Sequence, residues 1–139
     1  MTRRLHGWLR TAEAALALAV AHGLVRLVPF RTWQAWFARG SGPTRPSPDA
    51  ATLRHRSAAI ERAAARMPGD APCLPRALAM ALMLRRRGFG SQLQIGVRPP
   101  AERDGREDLH AWLTHRGQVI YGKRQGSDVA FAAYALGSR

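Results

Sequence analysis

The stretch Pro72-Cys73-Leu74-Pro75-Arg76-Ala77-Leu78-Ala79-Met80-Ala81-Leu82-Met83-Leu84-Arg85-Arg86-Arg87-Gly88 decides how this chain is read. Pro72 disfavours helix at the residue before it, and Pro75 fits a first helical turn, where a missing N–H costs no intrahelical bond. Leu74, Leu78, Ala81, Leu82 and Arg85 follow at helical spacing, and Gly88 is a stop signal. Cys73, the only cysteine, is thereby set at or just before a helix N-terminus. Such a position, with its outward N–H groups and the macrodipole, favours a thiolate over a thiol. Further on, Asp108-Leu109-His110-Ala111-Trp112-Leu113 is a short β-like run whose histidine is a candidate base. Taken singly, each piece has a plainer reading. A lone cysteine is usually a small buried hydrophobe, and a lone histidine a satisfied core or surface residue.

Downstream of Gly88 the period changes from helical to alternating. Gln92 to Val97 reads as a strand with Leu93, Ile95 and Val97 on one face. Pro99 to Glu107 is a charged loop, Leu109 to Thr114 a second strand, Arg116-Gly117 a tight turn and Val119 to Tyr121 a third strand. With a two-residue turn, His115 pairs with Gln118 and His110 faces Lys123. Lys123 to Asp128 is a polar loop, and Phe131 and Tyr134 belong to a last edge strand or a cover.

Upstream, Thr2 to Val28 reads as one long helix, with Trp8, Leu9, Leu16, Val20, Leu24 and Leu27 recurring near helical spacing. The run Ala14 to Ala21 is apolar on all sides. Arg10, Glu13, His22 and Arg26 crowd the window a membrane span would need, so a core helix is preferred and association with a lipid headgroup layer comes second. Phe30 to Phe37 is a short aromatic helix expected in the core. Residues 41–48 form a Gly/Pro/Ser-rich linker, after which Asp49 caps a helix from Ala50 to Arg66. The organisation is a helical segment 1–40, the linker 41–48 and a core 49–139, one compact domain overall. The fold class is α+β, N-terminal helices packed on a small antiparallel sheet.

One cysteine excludes a disulfide framework and any multi-cysteine metal site, and no zinc-ligand spacing or phosphate loop is present, so no cofactor is expected. The balance of 22 basic to 9 acidic residues, a formal net charge of +13, suits an acidic partner, nucleic acid or an anionic membrane. Set against that, all but one of the basic residues are arginine, a pattern that coding bias also produces. His6, His22, His55 and His115 are read as structural or surface residues, and Arg85-Arg86-Arg87 as a solvated helix end favoured by the dipole.

The ordered blocks Cys73-Leu74-x-Arg76-Ala77-Leu78, Leu84-Arg85-Arg86-Arg87-Gly88, Leu93-Gln94-Ile95-Gly96-Val97 and His110-Ala111-Trp112 resemble the lasso-peptide processing proteins (protein B). These are leader peptidases of the transglutaminase-like, papain-like cysteine superfamily. The resemblance covers roughly Ala71 to Gly122, and the apolar N-terminal helix followed by Val28-Pro29-Phe30-Arg31 also looks like that family. It implies a cytoplasmic cysteine peptidase with Cys73 as nucleophile and His110 as base; Trp112, two residues after His110 and on the same strand face, is a candidate wall of the substrate groove or a core residue, and Arg76 is a candidate substrate contact. It further implies three partners: a lasso precursor peptide, a separate leader-binding protein and a lasso cyclase. Nucleic acid is not among them, and peripheral membrane contact stays open.

The third catalytic member departs from the pattern. The family places an aspartate on the neighbouring strand a dozen or so residues after the histidine, where this chain has Tyr121, Gly122 and Lys123. Asp128, folding back from the next loop, is the first candidate. Asp108 shares a strand face with His110 but stands about 7 Å away by strand rise, long for a direct bond. A backbone carbonyl or a water is the remaining orienter. Two other classes compete with the peptidase: a non-enzymatic basic module for nucleic acid or membrane, and a different acyltransferase on the same fold.

Overall fold

The computed structural model describes residues 2–38, 45–69, 72–97, 109–122 and 132–135. Four helices come first: α1 (Thr2–Leu27), α2 (Phe30–Ala38), α3 (Ala50–Arg66) and α4 (Cys73–Arg86). Four strands follow, β1 (Gln92–Val97), β2 (Leu109–His115), β3 (Gln118–Tyr121) and β4 (Ala132–Ala135). They form one antiparallel sheet in the order β3-β2-β1-β4. The α+β class therefore holds, with Tyr134 in the edge strand β4 and Phe131 outside the described residues.

The local signals act where they stand. Asp49 caps α3 by accepting the Thr52 N–H at 2.6 Å, and hydrogen bonding from the Thr52 side chain first and its N–H second holds the carboxyl below the usual range. Pro72 is the N-cap of α4, with Pro75 in its first turn. Arg116 and Gly117, at φ 50° and 79°, turn β2 into β3, the positive-φ pair a two-residue hairpin turn requires. His115 pairs with Gln118 as the turn dictates. Between Leu113 and Thr114 the register then slips, and Leu113 faces Tyr121. The expected pairing of His110 with Lys123 falls on a residue outside the described ones.

α4 is the hub. It packs on α1 and α3 on one side and on β2 and β1 on the other. Ala77, Leu78, Ala79, Met80, Ala81, Met83 and Leu84 are accordingly buried. Leu93, Ile95, Ala111 and Leu113 supply the sheet's share of the same core.

α1 reverses one expectation. Trp8, Leu9, Leu16, Val20 and Leu27 are exposed, while Thr11, Ala14, Ala17, Leu18 and Ala21 are buried. The reason is spacing: α1 lies against both α3 and α4, which themselves bury Ala59, Ala63, Ala77 and Ala81. Interaxial distance follows the side chains at the contact, so alanine faces allow the closest approach and bulky ones would hold the helices apart. A polar clasp adds to this seam. Arg56, 5 % exposed, reaches Glu13 at 3.4 Å, and Arg62 Nε donates to Thr11 Oγ1 at 3.2 Å. The aromatic helix is likewise divided: Trp33 and Phe37 are buried, Phe30 and Trp36 exposed.

Candidate active site

Cys73 is the first residue of α4, half-buried and packed against the core. Its N-cap, Pro72, makes no side-chain cap hydrogen bond, and the positive end of the α4 dipole lies at Cys73. Arg76, one turn on, donates from NH1 to Glu61 Oε2 at 3.0 Å. The other oxygen of Glu61 accepts the Tyr121 hydroxyl at 3.2 Å. This chain joins α4, α3 and the end of β3. Burial first, and the neighbouring Glu61 charge second, push the Tyr121 phenol far above its ordinary range; Cys73 adds in the same direction and Arg76 opposes. Tyr121 is thus a neutral donor standing within electrostatic reach of Cys73.

His110 lies near the start of β2. Ala111 and Leu113 enter the core, while His110 and Trp112 occupy the alternate positions, half-buried and stacked at 5.5 Å between centroids with 23° between planes. His110 Nε2 is 2.8 Å from the carbonyl oxygen of Gly122. A carbonyl can only accept, so Nε2 carries the proton and the lone pair of the neutral ring is on Nδ1. His110 is bonded to Gly122 at the end of the edge strand β3, next in the chain to Tyr121, whose phenol feels the charge of Cys73.

Gly122 has φ +84°, and a Cβ there would stand 3.1 Å from the Ala111 oxygen and 3.1 Å from Trp112 Cβ. It lies in the stretch Tyr121-Gly122-Lys123, where the pattern of the resembled peptidases has an aspartate. With this backbone an aspartate would be strained and crowded, and the carbonyl of the same residue makes the bond to the imidazole instead. Asp128 and Asp108 lie outside the described residues. Arg76 stands at the site engaged with Glu61, and Trp112 stands against His110.

Sequence reading did not single out Glu61 or Tyr121. One signal pointed to the first: Glu61 is the one acidic residue among the four arginines of α3. His115 is buried, 6 % exposed, and burial lowers its pKa, with Arg116 adding to the effect; it is a structural residue beneath Gly90. Among the described residues no group of three His, Cys, Asp or Glu could hold a metal ion.

No curated protein and no solved structure matches this chain. The family model described as transglutaminase-like superfamily matches residues 14–134, from the middle of α1 to β4, and so contains both Cys73 and His110. With a model covering most of its length, the chain belongs to the transglutaminase-like superfamily, whose members are usually cysteine-based enzymes.

Proposed function

We propose that this protein is a cysteine endopeptidase that removes the leader from a lasso-peptide precursor, in the cytoplasm, beside a separate leader-binding protein and a lasso cyclase. The observation that carries the reading is the Nε2–H bond from His110 to the Gly122 carbonyl, which fixes the tautomer a general base needs. Family membership and the ordered Cys-Leu-x-Arg-Ala-Leu and His-Ala-Trp blocks support it.

Cys73 sulfur attacks the scissile carbonyl carbon while its proton passes to Nδ1 of His110. The developing oxyanion is stabilised at the N-terminus of α4, and the C–N bond breaks as the imidazolium returns the proton to the leaving amine. The core peptide departs with a free amine, the group a cyclase would consume, and the leader remains as a thioester on Cys73. Water, deprotonated by Nδ1, attacks the thioester; the carboxylate leaves and the sulfur is restored. Trp112 walls the groove, and Arg76 borders it while held by Glu61.

Mass analysis of precursor incubated with this protein and the leader-binding partner tests the reading. Two fragments whose masses sum to precursor plus one water are expected. Transfer of the acyl group to an added amine in preference to water would make the protein an acyltransferase. Unchanged cleavage by Cys73→Ala would remove the assigned chemistry. Salt-steep nucleic-acid binding with no role for Cys73 would favour the basic binding module.

A further inference from the structure

The outer face of α1 carries an apolar stripe that none of the described residues covers. Leu5, Trp8, Leu9, Leu16 and Leu27 are between 54 % and 84 % exposed. At 3.6 residues per turn they fall on the side opposite Ala14, Leu18 and Ala21, which face the core. From Leu5 to Leu27 the stripe runs for about 33 Å at the helical rise. α2 continues it with Phe30 and Trp36, 46 % and 44 % exposed.

Charge frames the stripe. Arg4 and Arg26 lie along one border. On the other, a cavity of about 440 Å³ opens between α1, α2 and α4, walled by Leu16, Val20, Leu82 and Trp36 with Arg85 and Arg86 at its side. Arg85 is held over the Trp36 ring at 3.9 Å and donates to the Trp36 carbonyl at 2.8 Å, so its cation is fixed at that border. The acidic residue here is Glu13, already engaged by Arg56 and Arg87.

We infer that α1, with α2 beside it, is a docking surface for an anionic lipid bilayer, lying in the headgroup layer with its leucines and tryptophans toward the acyl chains. An interfacial helix needs large apolar and aromatic residues on one side and arginines beside them. Among the described residues no helix is long and apolar enough to cross a membrane, so the mode is lying on the surface. A second copy is a poor occupant, because each chain carries +13 and two such faces repel. An acidic protein meets the charge but fits the shape less well. The exposed residues are spread along the whole helix, with Leu5, Trp8 and Leu9 beyond the cavity, and a fluid surface conforms to such a ridge where a protein needs a matching groove.

The test is co-sedimentation of the full chain with vesicles of phosphatidylcholine alone or mixed with phosphatidylglycerol, at low and high salt. The expected result is binding to the anionic vesicles, at least tenfold weaker on the zwitterionic ones and weakened by salt. It should fall tenfold or more in a Trp8→Glu, Leu16→Glu variant. Both positions are exposed, and an unchanged thermal midpoint would show that this variant stays folded; Leu5→Glu, Leu9→Glu serves in its place should the midpoint fall. Three results would overturn the proposal: wild-type protein left in the supernatant with anionic vesicles, equal sedimentation of the variant, or equal sedimentation on both lipids. Two more would reassign the stripe. Dimers in analytical ultracentrifugation that the same variant disperses would give it to a second copy. Tight binding of polyglutamate, lost in the variant, would give it to an acidic chain.

Discussion

The two ends of α4 stand about 20 Å apart along the helix and are built by opposite rules. The N-terminal end is a polar circuit: Tyr121 on Glu61 and Glu61 on Arg76, one turn after Cys73, with His110 bonded to Gly122, the residue after Tyr121. The C-terminal end is open, with an apolar cavity and three consecutive arginines where the helix dipole favours cations. Reacting groups need fixed positions, and a circuit of paired donors and acceptors supplies them. A docking surface can leave its side chains in solvent until the partner arrives. Between the two ends the helix is buried nearly all round, so a change at one end should leave the other untouched.

Substitutions at the two ends therefore divide activity from stability. Cys73→Ala should lower leader cleavage by about a thousandfold or more, with an unchanged thermal midpoint; retained cleavage would break the division. His110→Ala should be nearly as damaging, because an unassisted thiol is a poor nucleophile at neutral pH. Gly122→Ala puts a Cβ against Ala111 and Trp112 and turns the carbonyl from His110, so cleavage should fall by roughly ten- to a hundredfold. Asp128→Ala should cost about tenfold or less. A loss through Asp128 equal to that of His110 would make it, rather than the Gly122 carbonyl, the orienting group.

At the other end, Glu13→Ala should spare the specific activity of the folded protein and lower its stability. It leaves the buried Arg56 without its carboxylate, a loss of about 3 kcal/mol for breaking a buried pair. Denaturant titration measures this, and an unchanged midpoint would show that the clasp contributes nothing. The smallest effect belongs to His115, packed beneath Gly90. Its folded pKa lies below 6.5, so well above pH 6.5 neither state is charged and its contribution is complete. As pH falls below 6.5 the unfolded chain takes up the proton first, and stability declines until the folded-state pKa is passed. His115→Gln should flatten that part of the profile.

The sequence by itself determined what short-range chemistry controls. The start of α4 at Cys73 follows from Pro72 and Pro75, the cap of α3 from Asp49, and the β2–β3 turn from Arg116-Gly117, because each acts within a few residues of itself. Cys73 and His110, the nucleophile and base of the proposed reaction, were picked out as residue types in that local frame. Only the tertiary structure decided the rest. Within α1 the run Ala14 to Ala21 is apolar on all sides, so its periodicity left the buried face open, and the close approach of α3 and α4 selected the alanines. The bulge at Leu113/Thr114 depends on two strands packing together, and it aligns Tyr121 with Leu113 just before Gly122 meets the imidazole. Tyr121 and Glu61 are 60 residues apart, and nothing local to either announces the other. Their bond forms because packing α3 and α4 on the sheet brings both to one end of β3 and removes the water that would otherwise satisfy them.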